Sequence, residues 1–104
     1  MIRVAVMYPQ SEGKSFNLEY YMNKHMKRVK ERLGSLGLVG SEVDVGISGM
    51  GDSPPPYFAL GYLIFDTVEK FQAAFDKVGD ELLADIPNYT NTEPVVQISD
   101  LQRL

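Results

Sequence analysis

The order of extended and helical stretches, β-α-β-β-α-β, predicts an α+β fold. It is a ferredoxin-like sandwich, a four-stranded antiparallel sheet with both helices on one face. Three observations carry this reading. Asn17 to Leu33 and Asp66 to Asp85 repeat their apolar residues at a period near 3.6. Four shorter segments are rich in β-branched and aromatic residues and are bounded by proline or glycine. The first and third of these strands are apolar on both faces, more than one layer of helices can cover.

Ile2 to Tyr8 reads as the first strand and stops at Pro9. Asn17 is placed to cap the first helix, with Phe16 packing on Tyr21 as a hydrophobic staple. Its apolar stripe is Leu18, Tyr21, Met22, Met26, Val29 and Leu33, and Gly34 and Gly37 follow where it should end. Glu42 to Ile47 alternates as a second strand, and Tyr57 to Phe65 forms a third. The loop between them, Ser48 to Pro56, is long for a hairpin and is a candidate gate. Asp66-Thr67-Val68-Glu69 resembles a capping box with Asp66 as cap, and Pro87 ends the second helix near Asp85. Pro94 opens a last strand, Val95 to Leu101.

In the third strand Tyr57, Ala59, Gly61, Leu63 and Phe65 share one face, and Phe58, Leu60, Tyr62 and Ile64 share the other. An uncovered apolar face of that size calls for a second copy, so two sheets are expected to meet as a dimeric α+β barrel. The 104 residues suit a single domain spanning 1–104. A net charge of -4 argues against a nucleic-acid or anionic-membrane partner, because phosphates attract a concentrated positive field. No apolar run is long enough for a membrane span, and the first residues lack the apolar core of a signal peptide. Without cysteine there is no disulfide, thiol nucleophile or thiolate metal site, which fits a cytoplasmic protein.

His25 is the one histidine, and it falls inside the apolar stripe of the first helix. A titratable ring facing inward needs a partner or a cavity. Its functional role would be a general base or hydrogen-bond donor, kept neutral beside Lys24, Lys27 and Arg28. The alternative is a hydrogen-bonded histidine without chemistry. Tyr21, Tyr57, Tyr62 and Tyr89 could bring hydroxyls to the same cavity, and packing alone is the competing role for each. Asn88 and Tyr89 occupy a turn after a helix, where side chains reach into clefts. Gly61 leaves room against the middle of the sheet, or marks a bulge. The basic stretch from Lys24 to Arg32 reads as a solvated face rather than an anion site. No metal is expected from one histidine without cysteine, and no glycine-rich phosphate loop is present.

Four segments together resemble the EthD family, named for ethyl tert-butyl ether degradation. They are Asn17 to Met26, Glu31 to Gly34, Phe65 to Phe71 and Asp85 to Thr90, with the helix-borne Tyr20-Tyr21…His25 and the later Ile86-Pro87-Asn88-Tyr89-Thr90 most specific. The resemblance implies a dimeric α+β barrel and a place in small-molecule catabolism beside a haem mono-oxygenase system. Some relatives look like decarboxylases or dehydratases, and the family is also described as oxidoreductase-like. The expected activity is cofactor-free lyase, isomerase or oxygenase chemistry on an apolar or phenolic molecule. His25 would be the acid/base, and Tyr21, Tyr57, Gly61, Asn88 and Tyr89 would line the site. The alternative is a non-enzymatic module holding a hydrophobic intermediate or partner. A cavity of several hundred cubic ångströms would favour the enzyme. A shallow cleft filled by Met22, Met26 and Phe75 would favour the module, and no pocket at all a purely structural oligomer.

Overall fold

The computed structural model describes all of residues 1–104. Four strands form one antiparallel sheet in the order β2-β3-β1-β4. They are β1 (Ile2–Pro9), β2 (Gly40–Val45), β3 (Tyr57–Phe65) and β4 (Val95–Asp100). The central pair runs in register from Ile2 opposite Phe65 to Tyr8 opposite Ala59. Alternation then sends Ile2, Val4 and Tyr8 with Ala59, Leu63 and Phe65 toward the helices, and all six are buried. The ferredoxin-like α+β expectation holds.

The first helix runs in two pieces, α1 (Leu18–Tyr20) and α2 (Met26–Leu33), joined by a π turn over Tyr21–His25. Asn17 caps it as its sequence implies, its side chain accepting from the Tyr20 N–H at 3.1 Å. Phe16 meets Tyr21 edge-on at 5.0 Å between ring centres. In the π turn the Met26 N–H bonds the Tyr21 carbonyl, five residues back. The extra residue rotates the following face by about 100° relative to a regular helix. That rotation keeps Tyr21, His25, Met26, Val29 and Leu33 buried and leaves Leu18 and Met22 outside, a correction to the stripe drawn from a strict 3.6 period. Gly34 continues the helix as a short 3₁₀ turn. Gly37, with φ 105°, is the residue that ends it.

Helix α3 (Val68–Ala84) lies beside α2 and buries Phe71, Ala74 and Leu82. Its cap is Thr67, whose hydroxyl accepts from Lys70 N–H at 3.1 Å, rather than Asp66. Asp66 instead pairs with the Lys70 ammonium at 3.0 Å. The second strand starts and stops two residues earlier than alternation suggests, because Gly40 already pairs with Ile64. A register shift between Tyr8 and Pro9 leaves Phe58 without a partner on β1, although its carbonyl still accepts from the Gly46 N–H at 2.9 Å. Its ring stacks on Phe16 at 5.6 Å, so it leaves the outer face to which alternation assigns it.

The outer face of the sheet is narrower in its apolar character than the two middle strands imply. Ala5, Met7, Leu60, Tyr62 and Ile64 form a half-buried strip. Glu42 and Asp44 on β2 and Gln97 and Ser99 on β4 flank it. Arg3 crosses the strip, 4.7 Å over the Tyr62 ring and 3.3 Å from Glu42. Its Nε is the one buried side-chain polar atom without a partner. Strand β4 is also left uncovered on the helix side, where Val96 and Ile98 remain exposed. No helix is long and apolar enough to cross a membrane.

Candidate active site

The π turn brings Tyr21 and His25 to the inner side of the first helix with their rings stacked, 5.7 Å apart and 16° from parallel. Across the helix layer, α3 ends at Asp85, and Pro87 turns the chain into a 3₁₀ turn at Ile86–Asn88. This reversal sets the Asp85 carboxylate against the histidine. His25 Nδ1 and Asp85 Oδ2 are 2.9 Å apart, and both side chains are almost wholly buried. Asp85 Oδ1 accepts from the Tyr20 hydroxyl at 2.7 Å and from Asn88 Nδ2 at 2.9 Å. Arg28 stands 3.8 Å from the same oxygen.

The electrostatics follow from these contacts. Burial pushes Asp85 up, but the hydrogen bonds from Asn88, Tyr20 and His25 outweigh it and hold its pKa at about 2. The carboxylate is therefore ionised and can only accept. Burial lowers the His25 pKa, and the carboxylate opposes this without overcoming it. A neutral imidazole facing an acceptor carries its proton on Nδ1, which leaves Nε2 as a lone pair. Neutrality was expected from the neighbouring cations. Burial supplies most of it, and Arg28 adds a smaller push in the same direction.

Nε2 and the Tyr21 hydroxyl have no protein partner, yet neither is sealed off. Both residues line a cavity of about 60 Å³ between the first helix, α3 and the sheet. Its other walls are mostly apolar, including Val6, Met26, Gly61, Phe75 and Leu82. Tyr8 also lines it, and its hydroxyl is bound to that of Tyr89 at 2.7 Å. Tyr89 lies behind this wall with its ring 4.7 Å from His25. Burial drives the Tyr8, Tyr21 and Tyr89 pKa values upward, so all three stay protonated.

The candidate residues thus separate into groups. His25, Tyr21 and Gly61 meet at the cavity, and Tyr89 supports it from behind. Asn88 is exposed and turned onto Asp85 rather than into the cavity. Tyr57 opens β3, opposite Pro9, and Tyr62 lies on the outer face bonded to Asp44; neither lines the cavity. The loop from Ser48 to Pro56 contributes no wall. The basic stretch is solvated, apart from Arg28 near Asp85 and Arg32 bridged to Glu81 at 2.8 Å. No three His, Asp or Glu side chains converge as a metal site would require. Asp85 is the residue that pattern reading passed over as a functional group. Its signal was an acid at a helix C-terminus, where the helix dipole disfavours one.

A four-stranded antiparallel sheet, two helices on one face, and a buried His–Asp pair beside an apolar cavity define a ferredoxin-like α+β protein with a candidate acid/base site. The chain is similar to an EthD-like protein from Ralstonia eutropha JMP134, at 42% identity and a TM-score of 0.90. That likeness covers 98% of this chain and 94% of the other. At that level of likeness the chain belongs to the EthD family. An ethyl tert-butyl ether (EthD) family protein from Bacillus halodurans C-125 shares the fold at 21% identity and a TM-score of 0.74, covering 98% of this chain and 99% of that one. A dimeric ferredoxin-like protein from an uncultured marine organism shares it at 14% identity and a TM-score of 0.59, covering 98% of each chain. No family sequence model and no curated protein sequence matches the chain.

Proposed function

We propose that the chain is a homodimeric, cofactor-free enzyme of small-molecule catabolism in the cytoplasm. It transfers a proton to or from an apolar or phenolic substrate through His25. The observation that carries the reading is the Nδ1 bond to Asp85, which leaves a basic Nε2 on the cavity wall. In this scheme Asp85 fixes the tautomer and stabilises the imidazolium formed when Nε2 takes the proton. Tyr20 and Asn88 hold the carboxylate in place. The imidazolium later returns the proton, so the cycle is closed without a redox step.

The uncovered apolar strip on the outer face and the unpartnered Arg3 Nε support pairing with a second copy. The cavity volume of about 60 Å³ is far below the several hundred of a typical ligand site. That favours a second reading, a module that holds a small hydrophobic intermediate for a mono-oxygenase degradation system.

A thermal-shift screen against phenols, lactones, ethers and acyl thioesters finds the ligand class, and turnover of each hit is then followed. The enzyme reading expects His25→Gln to abolish turnover while the dimer persists. Turnover that survives the substitution refutes it, and ligand binding without any turnover selects the module.

A further inference from the structure

Gly61 sits in the middle of the sheet, paired with Val6 on one side and Val43 on the other. Glycine there weakens a strand, because it adds backbone entropy to the unfolded chain and packs no side chain. Space explains its presence. A Cβ at position 61 would overlap the Tyr21 hydroxyl oxygen, while the next atom of that ring, Cζ, lies at an ordinary 3.7 Å. Phenylalanine at position 21 would therefore tolerate alanine at 61. The glycine accommodates one oxygen atom.

Tyr21 is 1% exposed, and its hydroxyl bonds no protein group but opens to the cavity that the residue lines. The sheet thus gives up a side chain at its centre to seat an unbonded hydroxyl at the cavity wall. Among the polar groups there, the Tyr8 and Tyr89 hydroxyls bond each other, which uses one of their two O–H groups, and His25 Nε2 is a lone pair. The Tyr21 O–H is the donor that makes no bond within the protein.

We infer that Tyr21 and Gly61 form the oxygen-recognising end of the cavity, and that the ligand is an apolar molecule presenting one hydrogen-bond-accepting oxygen. Tyr21 donates to that oxygen, and Gly61 is the positioning residue that seats the donor. The inference rests on the reading of this cavity as a ligand site, and it adds the chemical class of the ligand.

The test uses the full chain and a matched pair of probes, cyclopentanone and cyclopentane, titrated by amide NMR shifts. Tyr21→Phe and Gly61→Ala should each weaken ketone binding about tenfold relative to cyclopentane binding, the worth of about one neutral hydrogen bond, and the double variant should lose no more than either alone. That difference from the variants is the ketone preference of the wild type. Gly61→Ala should lower the melting temperature, and adding Tyr21→Phe should restore it. Ketone binding unchanged by Tyr21→Phe, or a double variant as unstable as Gly61→Ala, overturns the inference. His25→Gln separates the two proposals. Turnover independent of His25 with the ketone preference intact sinks the acid/base reading alone. His25-dependent turnover without the preference sinks this one alone.

Discussion

Replacing Asp85 by asparagine removes one charge from the centre of a hydrogen-bond cluster and keeps its shape. The wild-type carboxylate accepts from His25, Tyr20 and Asn88 and is almost wholly buried. Hydrogen bonds to a charged group contribute roughly 1.5–3 kcal/mol each. Tyr20 and Asn88 can regain water at the surface, so the loss concentrates on His25, whose Nδ1 is buried. The expected destabilisation is about 2–3 kcal/mol at pH 7, a fall in Tm on the order of 10 °C for a domain of this size. The pH dependence has a definite sign. Asp85 has its pKa lowered from 3.8 to about 2 on folding. Its charge therefore stabilises the fold above pH 3.8, and that contribution is lost as pH falls through about 2. Urea melts of both proteins from pH 7 to pH 2 read the difference directly. Below pH 6.5 the gap between wild type and Asp85→Asn should first widen, because loss of the carboxylate lowers the His25 pKa further, and from about pH 4 to pH 2 it should close. A gap that stays constant or still opens between pH 4 and pH 2 refutes the ionised-hub account.

Three further outcomes follow. Turnover should rise with pH along a profile whose midpoint lies below 6.5, because burial lowers the folded His25 pKa from that value and Nε2 accepts only when neutral; a pH–rate profile with its midpoint above 6.5 contradicts this. Leu33→Ala should cost about 2–5 kcal/mol in urea melts, since Leu33 is fully buried in the helix–sheet core. Leu60→Lys places a charge in the outer strip beside Asp44 without touching the helix side. It should leave the fold intact and shift analytical ultracentrifugation from dimer to monomer, whereas an unchanged dimer removes that face from the interface.

Much of the architecture was legible because it is local. Asn17, Pro9, Gly37 and Pro87 act on their own few residues, and each marks a boundary the structure keeps. Features that depend on distant neighbours were harder to see. The π turn departs from the 3.6 period by one residue, and only packing of Tyr21 and His25 shows which face is buried. Phe58 follows strand alternation until a bulge at Tyr8 and Pro9 releases it. At the site, His25 was conspicuous as an inward titratable ring. Its partner Asp85 lies 60 positions away and meets it only through the packing of two helices. Asn88 was read as a ligand contact from its turn, but the same turn aims it at Asp85.

Because the chain has a single histidine, a long-range proton–nitrogen NMR spectrum of its imidazole reports on the central claim without assignment. At pH 7 the spectrum should show a neutral ring with its proton on Nδ1, titrating below 6.5, with Nε2 shifting when cyclopentanone enters the cavity. A ring protonated on Nε2, a pKa above 6.5, or an Nε2 signal unmoved by a bound ketone would contradict it.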